Sequence, residues 1–103
     1  MNITALIEKV KQHPDFRRAG MILCHNGVVR ETSRDGTPVS GLRVAVDHER
    51  LADILKKQRR QPGIVDIQVE IAENEDLKIG DDVMGLVVTG DIRENVIAVL
   101  ADT

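Results

Sequence analysis

The chain has 103 residues and a formal net charge of −3, with 42% hydrophobic and 30% charged residues. That is enough for one domain, residues 1–103, with a single core, at a size near the low end for an enzyme that works alone. The acidic balance excludes the strongly basic footprint of a nucleic-acid binder, and no stretch reaches the length of a membrane span. Charges stand where a signal peptide carries its apolar region, so a cytoplasmic protein is expected.

Ile3, Leu6, Ile7 and Val10 recur at helical spacing and predict an amphipathic leading helix of about ten residues that Pro14 stops. Phe16, the single aromatic residue, leaves Val, Ile and Leu to build the core, so a flat ligand would be held without ring stacking. Residues 19–29 predict a first strand, with Gly27 as a bulge or a point of close approach. Cys24 lies in the apolar run Met21-Ile22-Leu23-Cys24, where a buried structural thiol is expected rather than a nucleophile. A lone cysteine also excludes an internal disulfide framework and fits a reducing compartment. His13, His25 and His48 are too scattered for metal-ligand spacing, so no metal site is expected.

Arg30 ends the first strand. The polar segment Glu31 to Ser40, with Asp35-Gly36 as a turn signal and Pro38 as a breaker, is either a plain hairpin connection or a mobile lid. Gly41 to Val46 predict a second strand. Asp47 then caps a helix with Leu51, Ile54 and Leu55 inside, which ends near Arg60 in four cations within five residues, Lys56, Lys57, Arg59 and Arg60. Those cations are either a solvated helix end that suits the dipole or a docking face for an acidic partner. After Pro62-Gly63, Ile64 to Ile71 alternate as a third strand with Asp66, Gln68 and Glu70 on a solvated face.

Gly80 to Leu100 reads as one strand feeding directly into one helix. Val83 to Thr89 form the strand. Asp91 is the expected N-cap, with Glu94 completing an Asp-x-x-Glu capping box. Arg93 then falls in the first helical turn, where a cation opposes the dipole. It either helps the free backbone N–H groups to hold an anion or pairs with Glu94, Asp91 or another carboxylate. The helix is still apolar at Val96, Ile97, Val99 and Leu100 when the chain stops at Thr103, so the sequence is either cut short or covered there, most simply by a homodimer contact. The element order predicts an α+β architecture with a largely antiparallel sheet packed against helices.

Gly27-Val28-Val29-Arg30 followed by a polar loop, the Leu77-x-x-Gly80-Asp81 turn and Arg93 at the strand-to-helix junction resemble, in order and spacing, the large catalytic subunit of molybdopterin synthase. The resemblance runs from Gly20 onward, about four-fifths of the chain, and leaves residues 1–14 outside it. It implies the α/β-hammerhead fold of that subunit, with Arg30 and Arg93 lining an anionic pocket at a subunit boundary. It implies as partners a ubiquitin-like sulfur carrier, whose C-terminal Gly-Gly thiocarboxylate enters the pocket, and a cyclic pyranopterin phosphate that receives the sulfur. No separate cofactor is implied. The chain departs from the family at Ile92, where a histidine is usual, at Ala45-Val46-Asp47, where Glu-His-Tyr is usual, and at the catalytic lysines, which lie on a segment beyond Thr103. The expectation is therefore sulfur transfer in molybdenum-cofactor assembly by a homodimer. The alternative is a non-catalytic module that binds a carrier tail or an anionic metabolite, and the blandest option is a dimer domain whose arginines only make surface ion pairs.

Overall fold

The structure, a computed structural model, describes residues 2–32, 35–38 and 40–103. Its elements are α1 (Ile3–Lys11), a 3-10 turn (Phe16–Arg18), β1 (Met21–Val28), α2 (His48–Arg59), β2 (Ile64–Ile71), β3 (Asp82–Gly90) and α3 (Arg93–Asp102). The three strands form one antiparallel sheet in the order β1-β3-β2, so the strand that feeds α3 is the central one. The α+β expectation holds, with one strand fewer.

Alternation along β3 assigns the two faces. Leu86 and Val88 join Leu55 of α2, Ile67 of β2 and Val96 and Val99 of α3 in one core, with Met21 and Leu23 of β1 at its border. Val87 points the other way, to Leu6 and Val10 of α1, with Ile22 beside it. The sheet is thus the middle of three layers. On the α1 side that layer reaches only as far as Ile22 and Val87, which is why Cys24, further along the edge strand, is exposed and not the buried thiol expected.

Four further expectations are corrected. Residues 41–46 form no strand: Leu42 makes one bridge to Leu77, and the segment is otherwise held by Asn74 N–H donating to the Val44 carbonyl and by Arg43 on Asp76. The partner segment turns away too soon to extend a ladder, with Asn74 at φ 58° and Gly80 at φ 90°. Asp66 is not solvated but 6% exposed. Its Oδ1 accepts from Ile67 N–H at 2.8 Å and its Oδ2 from the Gln68 amide at 3.0 Å, while the Arg59 guanidinium stands 3.5 Å away and donates to the Ile67 carbonyl at 2.6 Å. The apolar end of α3 is mostly internal, Val96 and Val99 being buried and Ile97 exposed. The cap of α3 also moves: Ile92 is the N-cap, Arg93 is the first helical residue, and no Asp-x-x-Glu box forms.

The bulge expected at Gly27 is present as a register shift between Gly27 and Val28. Asp47 caps α2 by accepting from Arg50 N–H at 3.1 Å. In the 31–40 segment Thr32 bridges Pro38 and Asp35 accepts from Thr37 N–H, while Ser33, Arg34 and Val39, on which the choice between hairpin and lid also depends, lie outside the described residues.

Candidate functional site

Three glycines crowd the junction between β3 and α3. A Cβ on Gly20 would strike the Asp91 carbonyl, one on Gly63 would strike the side chains of Asp91 and Asn95, and one on Gly90 would fall 2.6 Å from the Gly63 carbonyl. Bare backbone there lets the starts of β1 and β2 close against the start of α3. Asp91 ties the junction: its N–H donates to the Gly63 carbonyl at 2.9 Å, and its Oδ1 accepts from Ile92 N–H at 2.6 Å and from the Asn95 amide at 2.9 Å. The Asn95 bond first, and the Ile92 bond second, hold the Asp91 carboxyl below its ordinary value. Because Gly63 fixes Asp91 outside the helix, the chain enters α3 one residue later than local sequence predicts.

The consequence is an exposed helix start without a side-chain acceptor of its own. Ile92 offers none and is 53% exposed. The first-turn N–H groups, which no intrahelical carbonyl satisfies, open onto a shallow depression of about 470 Å³ lined by Gly20, Met21, Asp91, Ile92, Arg93 and Glu94. Arg93 is exposed there and pairs with neither Asp91 nor Glu94. Against that one cation stand two carboxylates, so an anion is drawn to this site strongly only if a further cation joins it.

Arg30 is not that cation within the same chain. β1 and β3 are antiparallel, with Met21 opposite Gly90 and Val28 opposite Asp82. Arg93 therefore follows one end of the sheet and Arg30 the other, separated by the length of β1, roughly 25 Å for eight residues at the usual rise. Arg30 donates from Nε to the Thr32 carbonyl at 2.6 Å. Beside it, the Gly80 turn is closed by Gly80 N–H donating to the Val29 carbonyl and Val29 N–H to the Asp81 carbonyl.

Arg18 is a cation that sequence reasoning missed. With Asp15, Gly63, Ile64 and Val65 it lines a second depression of about 230 Å³, and this depression shares Asp91 with the first. Arg18 makes no ion pair with a described residue. Its signal was available only through the fold, since Arg17-Arg18 precede a strand whose start is paired to the end of β3. Of the positions where the resemblance departs, Asp47 serves as the α2 cap, and Ile92 can neither give nor take a proton. Among the described residues no three His, Cys, Asp or Glu side chains gather as a metal-binding group, and no helix is long and apolar enough to cross a membrane.

No protein-family model matches the chain. No curated protein matches it either. Solved structures do: the molybdopterin biosynthesis MoaE protein of Burkholderia ambifaria is 18% identical with a TM-score of 0.77, covering 98% of this chain and 65% of its own. A protein–protein complex of subunits 1 and 2 of the molybdopterin-converting factor of Helicobacter pylori gives 16% identity and a TM-score of 0.70 over 99% of this chain and 68% of its own. Molybdopterin synthase of Staphylococcus aureus gives 20% identity and a TM-score of 0.64 over 80% of this chain and 61% of its own. The chain thus spans about two thirds of the length of these structures, and at such identities the likeness is one of fold.

Proposed function

We propose that the chain acts in molybdenum-cofactor assembly in the cytoplasm, as a divergent counterpart of the large subunit of molybdopterin synthase. It works as a homodimer that receives the carboxyl-terminal tail of a small sulfur-carrier protein and a pterin phosphate. The observation that carries this reading is an Arg93 on the first turn of α3 that is unpaired among the described residues, in a fold that superposes on a MoaE protein over 98% of the chain. Both ligands are anions, and an arginine fork beside free helix N–H groups is suited to either.

Sulfur transfer is the reaction this reading assigns. The arginines would stabilise charge as the carrier sulfur bonds to a pterin carbon in place of an oxygen substituent lost as water, and as a second water attacks the acyl carbon, breaking its bond to sulfur and leaving the carrier as a carboxylate. Arg30 lies too far from Arg93 to serve in the same chain, so it serves the site of a second copy. Calorimetric titration with a carrier ending in Gly-Gly, beside the same carrier lacking those two residues, tests the reading. Tail-dependent binding is expected, and equal or absent binding of the two by the folded protein rejects it.

Ile92 and Ala45-Val46 favour a second reading, a non-catalytic module that holds the carrier tail without chemistry, because none of them transfers a proton. Tail-dependent binding with no sulfur transfer in a single-turnover assay of the natural full-length gene product selects it.

A further inference from the structure

The depression beside Arg18 is organised by a single turn. Asp15 is the N-cap of the 3-10 turn Phe16–Arg18, and the Arg18 N–H donates to its carbonyl at 2.9 Å. In such a turn side chains three residues apart eclipse, so a carboxylate and a guanidinium placed there are set to close on each other. They do not. Arg18 makes no ion pair or hydrogen bond with a described residue, and the Asp15 carboxylate, 3.8 Å from the exposed Arg17, accepts no hydrogen bond from one. Both line instead a cavity of about 230 Å³ with Gly63, Ile64, Val65 and Asp91. Oδ1 of Asp91 is taken by Ile92 N–H and the Asn95 amide, which leaves its Oδ2 without a donor among the described residues.

That lining selects a chemistry. One guanidinium against two carboxylates draws no anionic group, and a compact cation would have to sit beside Arg18. What matches is a neutral group that donates adjacent N–H bonds to a carboxylate and offers a carbonyl oxygen to the guanidinium. The remaining wall is flat and apolar: Gly63 has no side chain, Ile64 and Val65 are half-buried, and Val65 is passed over in the pairing of β2 with β3. Such a wall receives the face of a ring. The cavity is smaller than the pockets that enclose drug-sized ligands, and it suits one bicyclic heterocycle.

We infer that the Arg18 depression binds the aminopyrimidinone edge of a fused bicyclic ring, the edge that pterins and guanine share. Asp15 accepts in parallel from the ring N–H and from one hydrogen of the neighbouring amino group, and Arg18 donates to the ring carbonyl. Asp91 Oδ2 is the acceptor left for the second amino hydrogen. An adenine-like edge sets a bare ring nitrogen against a carboxylate, acceptor to acceptor, and is refused. Because the two depressions share Asp91, a phosphate carried on the ring lies toward the α3 start and Arg93. That last step rests on the anion site proposed above, whereas the recognition of the ring edge does not.

The test titrates the whole chain, with no carrier present, by calorimetry against the monophosphates of neopterin, guanosine, inosine and adenosine. The neopterin and guanosine compounds should bind, and inosine monophosphate, which lacks the amino group, should bind about 10-fold more weakly than guanosine monophosphate, with adenosine monophosphate weaker still. The tighter of the first two identifies the source of the ring as a pterin or a guanine nucleotide. Asp15→Asn should erase the preference for guanosine over inosine monophosphate, a ratio that a merely structural role would not move. Arg18→Ala should weaken both alike, since both carry the carbonyl. Neither neopterin nor guanosine monophosphate bound at ~1 mM, the three nucleotides bound equally, or a preference kept by folded Asp15→Asn would each overturn the inference. If a variant does not fold, the ranking of ligands by the wild type still decides. Edge-selective binding by a chain that ignores the carrier tail keeps this inference and removes the proposed function, and tail-dependent binding with no edge selectivity does the reverse.

Discussion

Arg93 and Asp91 are separated by one residue and do opposite things. Asp91 turns its carboxylate to Asn95 and Ile92, while Arg93 has no partner among the described residues. Arg93→Ala should weaken carrier-tail binding about 10- to 100-fold, the range for a hydrogen bond to a charged group, with the thermal midpoint unchanged; unaltered affinity by calorimetry would take Arg93 out of the site. Asp91 has a depressed carboxyl, so its stabilising effect is fully present above the unfolded value near 3.9 and is lost as pH falls through the lower folded value. Acid unfolding curves of wild type and Asp91→Asn should therefore converge below about pH 4 and separate above it; a constant gap at all pH values would deny the carboxylate that role. Asp91 also marks a limit of local reading. A capping aspartate with Glu94 three residues on is a sound signal, but the bond from Asp91 N–H to Gly63 comes from a distant segment and moves the cap by one.

At the scale of elements, α1, α2 and the three strands were legible because each carries its own periodicity or its own stop, such as Pro14 after α1 and Pro62-Gly63 after α2. Residues 41–46 have strand-like composition, yet strands exist by pairing, and Leu77 supplies only one bridge. Asp66 was misread for a related reason: alternation sorts faces but cannot foresee that Arg59 of α2 will lie over one of them. That clasp joins α2 to β2. Arg59→Ala leaves a buried carboxylate with less compensation and should cost about 1–3 kcal/mol in urea unfolding; Arg59→Lys, which cannot reproduce the forked contact to Asp66 and the Ile67 carbonyl, should recover only part. Unchanged stability of the alanine variant would show that Asp66 is satisfied by Ile67 N–H and Gln68 alone.

For the molecule as a whole, the separation of Arg30 and Arg93, roughly 25 Å at the usual strand rise, could not be seen before the strands were paired, because it follows from β1 and β3 being antiparallel. The order and spacing that suggested the family were visible, and the fold agrees with it. A shared site makes a specific demand on mixtures. Arg30→Ala and Arg93→Ala chains should each bind the carrier tail poorly, yet after unfolding and refolding together they should regain about a quarter of the wild-type sites, because random pairing makes half the dimers mixed, each with one intact pocket. No recovery would mean that the two arginines do not meet across an interface.

The pairing of β3 with its two neighbours also sets an order of assembly. β2 and β3 follow one another along the chain and close as a hairpin-like pair, with α2 clasped to β2 by contacts only a few residues apart. Met21 must instead find Gly90 across roughly two thirds of the chain, a far costlier loop to close. β1 is thus the last strand to arrive and the first to leave, and in pulsed hydrogen exchange its amides should gain protection after those of β2 and β3. Until it docks, the central strand has a bare flank, and the same flank in a neighbouring chain can capture a stray β1; the refolding yield should accordingly fall as protein concentration rises.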